Sequence, residues 1–169
     1  MALTWAGAQR LLFTTLALAC SAVASAAAPA CDRACLEGHV DRFLDAAIAH
    51  DPSRVPFARN ARYTENGVTL LPGDGLWRTL TARGGWRMVV ADEATGHVGF
   101  FGSVREDDLP AVIAVHLAVR NGRITAAEVF LQRNEKSAEG FDKIGWAWTD
   151  TVPPAERMSR RELLRVADL

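Results

Sequence analysis

No stretch of this sequence carries a strong excess of one charge. Nineteen Lys and Arg stand against 20 Asp and Glu, leaving −1 at pH 7. Without a basic field to hold a phosphate backbone, nucleic-acid binding is not expected. Lysine is nearly missing, 2 residues against 17 arginines, which reflects GC-rich coding rather than a binding signature. Cysteine is scarce, with three residues. No Cys or His stands at finger-like spacing from a second pair, so no metal site is expected where zinc needs about four ligands. The G-x-S-x-G nucleophile elbow, the phosphate-binding loop and the dinucleotide fingerprint are all missing, so no cofactor is expected either. The single long apolar run lies at the N-terminus and falls short of the about 20 residues of a membrane span.

What is present begins with that run. Arg10, the apolar "LLFTTLALACSAVA" and the small residues Ala24-Ser25-Ala26 form a secretory signal over residues 1–26. A secreted or periplasmic protein follows, with no membrane contact after cleavage; a lipid-anchored form at Cys20 is the other reading. The remaining cysteines, Cys31 and Cys35 in "CDRAC", then meet an oxidising compartment. They either close a small structural disulfide or stay as free thiols.

The rest has the composition of one globular domain, 49% hydrophobic and 23% charged. Leu36, Val40, Phe43, Leu44, Ala47 and Ile48 recur at helical spacing, and Asp51-Pro52 stops that helix. "ARYTE" reads as a strand, Asn66-Gly67 as a tight hairpin turn, and "LWRTLTARG" as a short helix or irregular segment. From Gly85 onward "WRMVVA", "HVGFFGSV", "AVIAVHLAV" and "RITAAEVFLQR" alternate as four strands. The Asn121-Gly122 turn sets a register in which Val119 faces Ile124, Leu117 faces Ala126 and Val115 faces Glu128. Glu128 then becomes the lone acid on an apolar sheet face. The opposite face, with His97, Phe101, Ala114 and His116, is mixed but still apolar and suggests a partner surface such as a homodimer. Residues 134–158 lack periodicity and read as a loop. Ser159 to Glu162 is a capping box opening a terminal helix over 159–169, either a short docking helix or the start of a second, missing repeat.

The order of "VDRFLDAAIAHDPSRVP", "TENG", "GDGLW", "GHVGFFG" and "GRI" with "EVFLQR" resembles secreted SnoaL-like domains of the nuclear transport factor 2-like superfamily. The resemblance covers about residues 31–133. It implies an α+β fold: a cone-like, curved antiparallel sheet packed on N-terminal helices, with a pocket between the concave face and the helices. Enzymes of that superfamily use pocket carboxylates, His and Tyr for cofactor-free proton transfer, so an isomerase, dehydratase or lyase acting on a small apolar molecule is one expectation. A non-catalytic ligand-binding or dimerisation module is another, and a truncated member of a two-domain group is a third. "RMSRREL", Arg157 to Leu163, matches the point where members of the group continue into a second domain.

Tyr63, Glu65 and Glu128 are the candidate acid-base residues. A carboxyl in an apolar site has its pKa raised and can work near neutral pH. Tyr63 and Glu65 share one side of their strand; the alternative is an ordinary cross-strand pair. Glu128 alternatively reaches water or pairs with an Arg such as Arg87. Asn66, Trp77 and Trp86 are candidate substrate-binding residues, against a turn role for Asn66 and core roles for the tryptophans. The three acid-base candidates must converge on one concave cavity for the enzyme reading to hold.

Overall fold

The computed structural model describes residues 31–144 and 152–168. The signal read from residues 1–26 lies outside them. Helix α1 runs Arg33–Ile48, capped by Asp32, whose side chain accepts from Cys35 N. Its helical spacing buries Leu36, Val40, Phe43, Leu44 and Ala47, and adds Ala46 and His39. His50, at φ 54, turns the chain out of the helix, and Asp51 caps a 3-10 turn at Pro52–Arg54.

Six strands follow: β1 Phe57–Glu65, β2 Val68–Leu70, β3 Leu80–Asp92, β4 His97–Glu106, β5 Leu109–Arg120 and β6 Arg123–Gln132. They form one sheet in the order β2-β1-β6-β5-β4-β3. Neighbours run antiparallel except β1 and β6, which are parallel, so the first strand returns to lie beside the last. The helix α1 crosses the concave face, and the core between them is continuous from Leu36 and Phe43 through Trp77 and Tyr63 to Val115 and Val129. This is the α+β, curved and unclosed sheet of the nuclear transport factor 2-like architecture.

Three local features depart from the sequence reading. "LWRTLTARG" splits into a 3-10 turn at Gly75–Arg78 and the opening of β3, which starts at Leu80 rather than after Gly85. An irregularity between Arg83 and Arg87, at Gly84-Gly85, breaks the alternation that marks a strand. The second departure is in register. The Asn121-Gly122 hairpin pairs Val119 with Ile124, but a bulge at Thr125 then shifts the ladder by one, and His116 rather than Val115 faces Glu128. A one-residue shift sends each later side chain to the other face. The β4–β5 hairpin has no such slip: His97 pairs with Ala118 and Val104 with Ala111, around a turn at Asp107 and Asp108, both at positive φ.

Third, the expected loop holds helix α2, Glu135–Ile144. Asn134 caps it through Ser137 N, Ala138 is fully buried, and Phe141 packs on the outer sheet face against Trp86 and Phe101 at centroid distances of 4.8 and 5.3 Å. Two apolar contacts on a ten-residue helix interrupted by Gly140 are too few to register as a period. The terminal helix α3, Arg160–Ala167, carries the expected capping box at Ser159 and Glu162. Arg160 pairs with Asp92 at the end of β3, while Leu163, Leu164 and Val166 stay about half exposed. Among the described residues no helix is long and apolar enough to cross a membrane.

Candidate functional site

Tyr63 and Glu65 project from β1 on the concave side, in line with Ala127 and Val129 of β6. Both are buried, at 1% and 8% exposure. The Tyr63 hydroxyl donates to Glu65 Oε2 at 3.2 Å, and the Leu76 amide donates to the same oxygen at 2.7 Å. Gly75 sits against this carboxylate at φ +62, and a Cβ there would overlap Glu65 Oε2. Glu65 therefore pins the Gly73–Trp77 loop to the strand. Burial, followed by the Glu65 charge and hydrogen bond, pushes the Tyr63 phenol far above its ordinary range. The Trp77 indole N–H lies near enough to Tyr63 to offset part of that rise, yet it has no partner with hydrogen-bond geometry.

Arg133, just past β6, links this pair to a second acid. Its guanidinium lies 3.9 Å from Glu65 Oε1 and grips Glu106 through two bonds of 2.5 and 2.6 Å. Thr79 donates to Glu106 at 2.6 Å. Burial pushes the Glu106 carboxyl up, but the hydrogen bonds from Arg133 and Thr79 outweigh it and hold the group below its ordinary value. Hydrogen bonding to Glu106 in turn raises Arg133. This row borders a cleft of about 300 Å³ whose other wall is Leu109, Pro110 and Ala111, with Asp107 and Glu135 at its edge. Thr79, Glu106 and Arg133 were not among the residues singled out from the sequence. Alternation from Val104 to Glu106, and from Val129 through Leu131 to Arg133, is the signal that places Glu106 and Arg133 on the concave side; Thr79, between a 3-10 turn and β3, has no such signal.

The remaining candidates separate. Glu128 does not join Tyr63 and Glu65: the Thr125 bulge puts it, half-buried, on the outer face beside Thr64 and His116. Arg87 is not its partner, since it pairs with Asp41 of α1 at 3.1 Å. The tryptophans lie on opposite faces. Trp77 is in the core, edge-on to Phe43 and Tyr63, whereas Trp86 is outside under Phe141. Asn66 holds the expected turn at φ 48, and its amide does more: Nδ2 donates to Leu131 O and Oδ1 accepts from Leu131 N. The side chain thereby continues the β1–β6 ladder past the end of the strand. Cys31 and Cys35 form a disulfide. His97 and His116 stack on the outer face with ring nitrogens 2.8 Å apart, and burial, then His116 and Arg120, lowers the His97 pKa. Beside them an apolar groove of about 270 Å³ runs over Met88, Val90, Phe101, Ala114 and Phe130.

A curved sheet wrapped on one helix, with a polar row at the open end, defines a nuclear transport factor 2-like cone. More narrowly, the chain belongs to the family described as "Domain of unknown function (DUF8021)", whose model matches residues 30–131. No curated protein matches it by sequence. Among solved structures it is similar to a de novo designed protein with a curved β-sheet, at 15% identity and TM-score 0.50, covering 67% of this chain and 98% of that one. It is also similar to a nuclear transport factor 2-like protein of unknown function from Cytophaga hutchinsonii ATCC 33406, at 8% identity, TM-score 0.45 and coverage of 57% and 89%. AclR, a putative hydroxylase from Streptomyces galilaeus, aligns at 11% identity, TM-score 0.47 and coverage of 73% and 92%.

Proposed function

We propose that this domain is an exported small-molecule-binding module whose ligand enters the cleft between the Thr79–Glu106–Arg133 row and the Leu109–Ala111 wall. The observation that carries this is the pairing of an apolar wall with a polar one across about 300 Å³, the composition and size of a small-ligand site. The lining holds three acids, Glu106, Asp107 and Glu135, against one base, Arg133. That balance favours a ligand that is apolar on one side and carries a neutral or cationic hydrogen-bonding group on the other. Binding is favoured over proton transfer because Glu65 already accepts two hydrogen bonds and Tyr63 is sealed in the core. The disulfide Cys31–Cys35 supports export.

The test is a thermal-shift and saturation-transfer screen of hydrophobic amines, neutral alcohols and carboxylates. Amines and alcohols are expected to bind, and Leu109→Arg to weaken them at least tenfold. Hits that ignore Leu109→Arg, or a preference for carboxylates, would remove the cleft as the site.

The outer groove supports a second reading, self-association. Val90 and Phe130 are 60% and 52% exposed at its edges, and a continuous apolar sheet face of this kind commonly pairs with a copy of itself.

A further inference from the structure

Cys31, Cys35 and His39 follow one another at four-residue spacing where α1 begins. Residues four apart on a helix stand on one face, so His39 lies directly behind Cys35. The two sulfurs and a ring nitrogen all lie within 4.8 Å of one another. His39 is only 5% exposed, and its Nδ1 is buried with no hydrogen-bond partner. Leaving such a group unsatisfied costs about 1–3 kcal/mol, so a buried imidazole beside two sulfurs asks what it is kept for. Cys35 is exposed at the surface, within reach of a thiol reagent.

We propose that reduction of the Cys31–Cys35 disulfide converts this corner into a binding site for one Cu(I) ion, held by two thiolates and the His39 imidazole. An external dithiol supplies the electrons. Its two S–H groups are oxidised to a disulfide, while the Cys31–Cys35 bond breaks and takes up two electrons and two protons. Binding of the ion then releases those two protons from the thiols to solvent. The freed sulfurs separate to the distance of about 4 Å that two metal–sulfur bonds of ~2.3 Å set. Thiolate and imidazole donors suit a soft ion. No fourth side chain joins the group among the described residues, and three donors disfavour structural zinc, which is closed by four. Two thiolates, one neutral imidazole and Cu(I) carry one net negative charge, which the N-terminal end of α1 favours.

The full chain carrying Cys20→Ser, so that Cys31 and Cys35 are its two thiols, is reduced with dithiothreitol, desalted without oxygen and titrated against the coloured Cu(I)–bicinchoninate complex. The reduced protein is expected to withdraw one equivalent of Cu(I) and the oxidised protein none. Cys35→Ser should abolish uptake, and His39→Gln should weaken it at least tenfold. X-ray absorption of the loaded wild type should count two sulfurs and one nitrogen, which decides the matter even if His39→Gln fails to fold. An unchanged probe with reduced protein, equal uptake by the oxidised form, or a copper shell of sulfur alone would each overturn the site.

Discussion

Glu65 shows how one side chain can tie a loop to a strand. Its Oε2 collects the Leu76 amide and the Tyr63 hydroxyl, and Gly75 leaves room for it. Gly75→Ala therefore meets both a left-handed backbone, costing about 1–2 kcal/mol for an L residue, and a collision with the carboxylate. A loss of at least that size is expected in urea unfolding, while an unchanged midpoint would mean that the loop is not held as described. Glu106 supplies a pH signature. Its pKa is depressed in the folded protein, so its stabilising effect is present above the ordinary value of 4.5 and is lost as pH falls through the lower folded value. Wild type should lose its advantage over Glu106→Gln in melting temperature as pH drops below that ordinary value. A gap of constant size from neutral pH down to the acid limit of folding would count against the Arg133–Glu106 pairing.

At the scale of elements, the bulge at Thr125 and the helix α2 decide what faces what. Thr125 Oγ1 donates to Ala118 O beside the slip in register, and that single extra residue carries Glu128 out of the cone. The Tyr63–Glu65 side of the site was legible in the sequence because the two residues stand two apart on the last stretch of β1, which pairs in register with β6 from Arg62 to Glu65. The Glu128 assignment was not, because nothing in "RITAAEV" distinguishes a bulged strand from a straight one. Helix α2 is held on β3 and β4 by Asp142, which accepts from Gly85 N and Ser103 Oγ, and by Phe141, its main apolar anchor. Phe141→Ala should cost about 1–2 kcal/mol, since the ring is only half buried. Hydrogen exchange should quicken across 135–144 and leave α1 unchanged; equal quickening in both would show that α2 is no separate unit.

The whole molecule presents two different faces. The concave one is filled by α1 and the aromatic group Phe43, Phe57, Tyr63 and Trp77, and the polar cleft lies at the Glu106–Arg133 end. On the convex one, α2 covers Trp86 and Phe101 but not Val90 or Phe130. If a second copy covers the remainder, sedimentation should report a dimer that Val90→Lys with Phe130→Lys dissociates. A monomer at all concentrations would remove that reading. What the sequence by itself determined is the local order: the helix with its stop at Asp51-Pro52, the Asn66-Gly67 and Asn121-Gly122 turns, and the strands between them. Each follows from backbone preference and side-chain period over a few neighbouring residues. Tertiary structure alone decided that Arg133 meets both Glu65 and Glu106 and that Trp77 and Trp86 part to opposite faces. Such meetings depend on register across strands and on how α1 lies over the sheet, and both are set by packing between segments far apart in the chain.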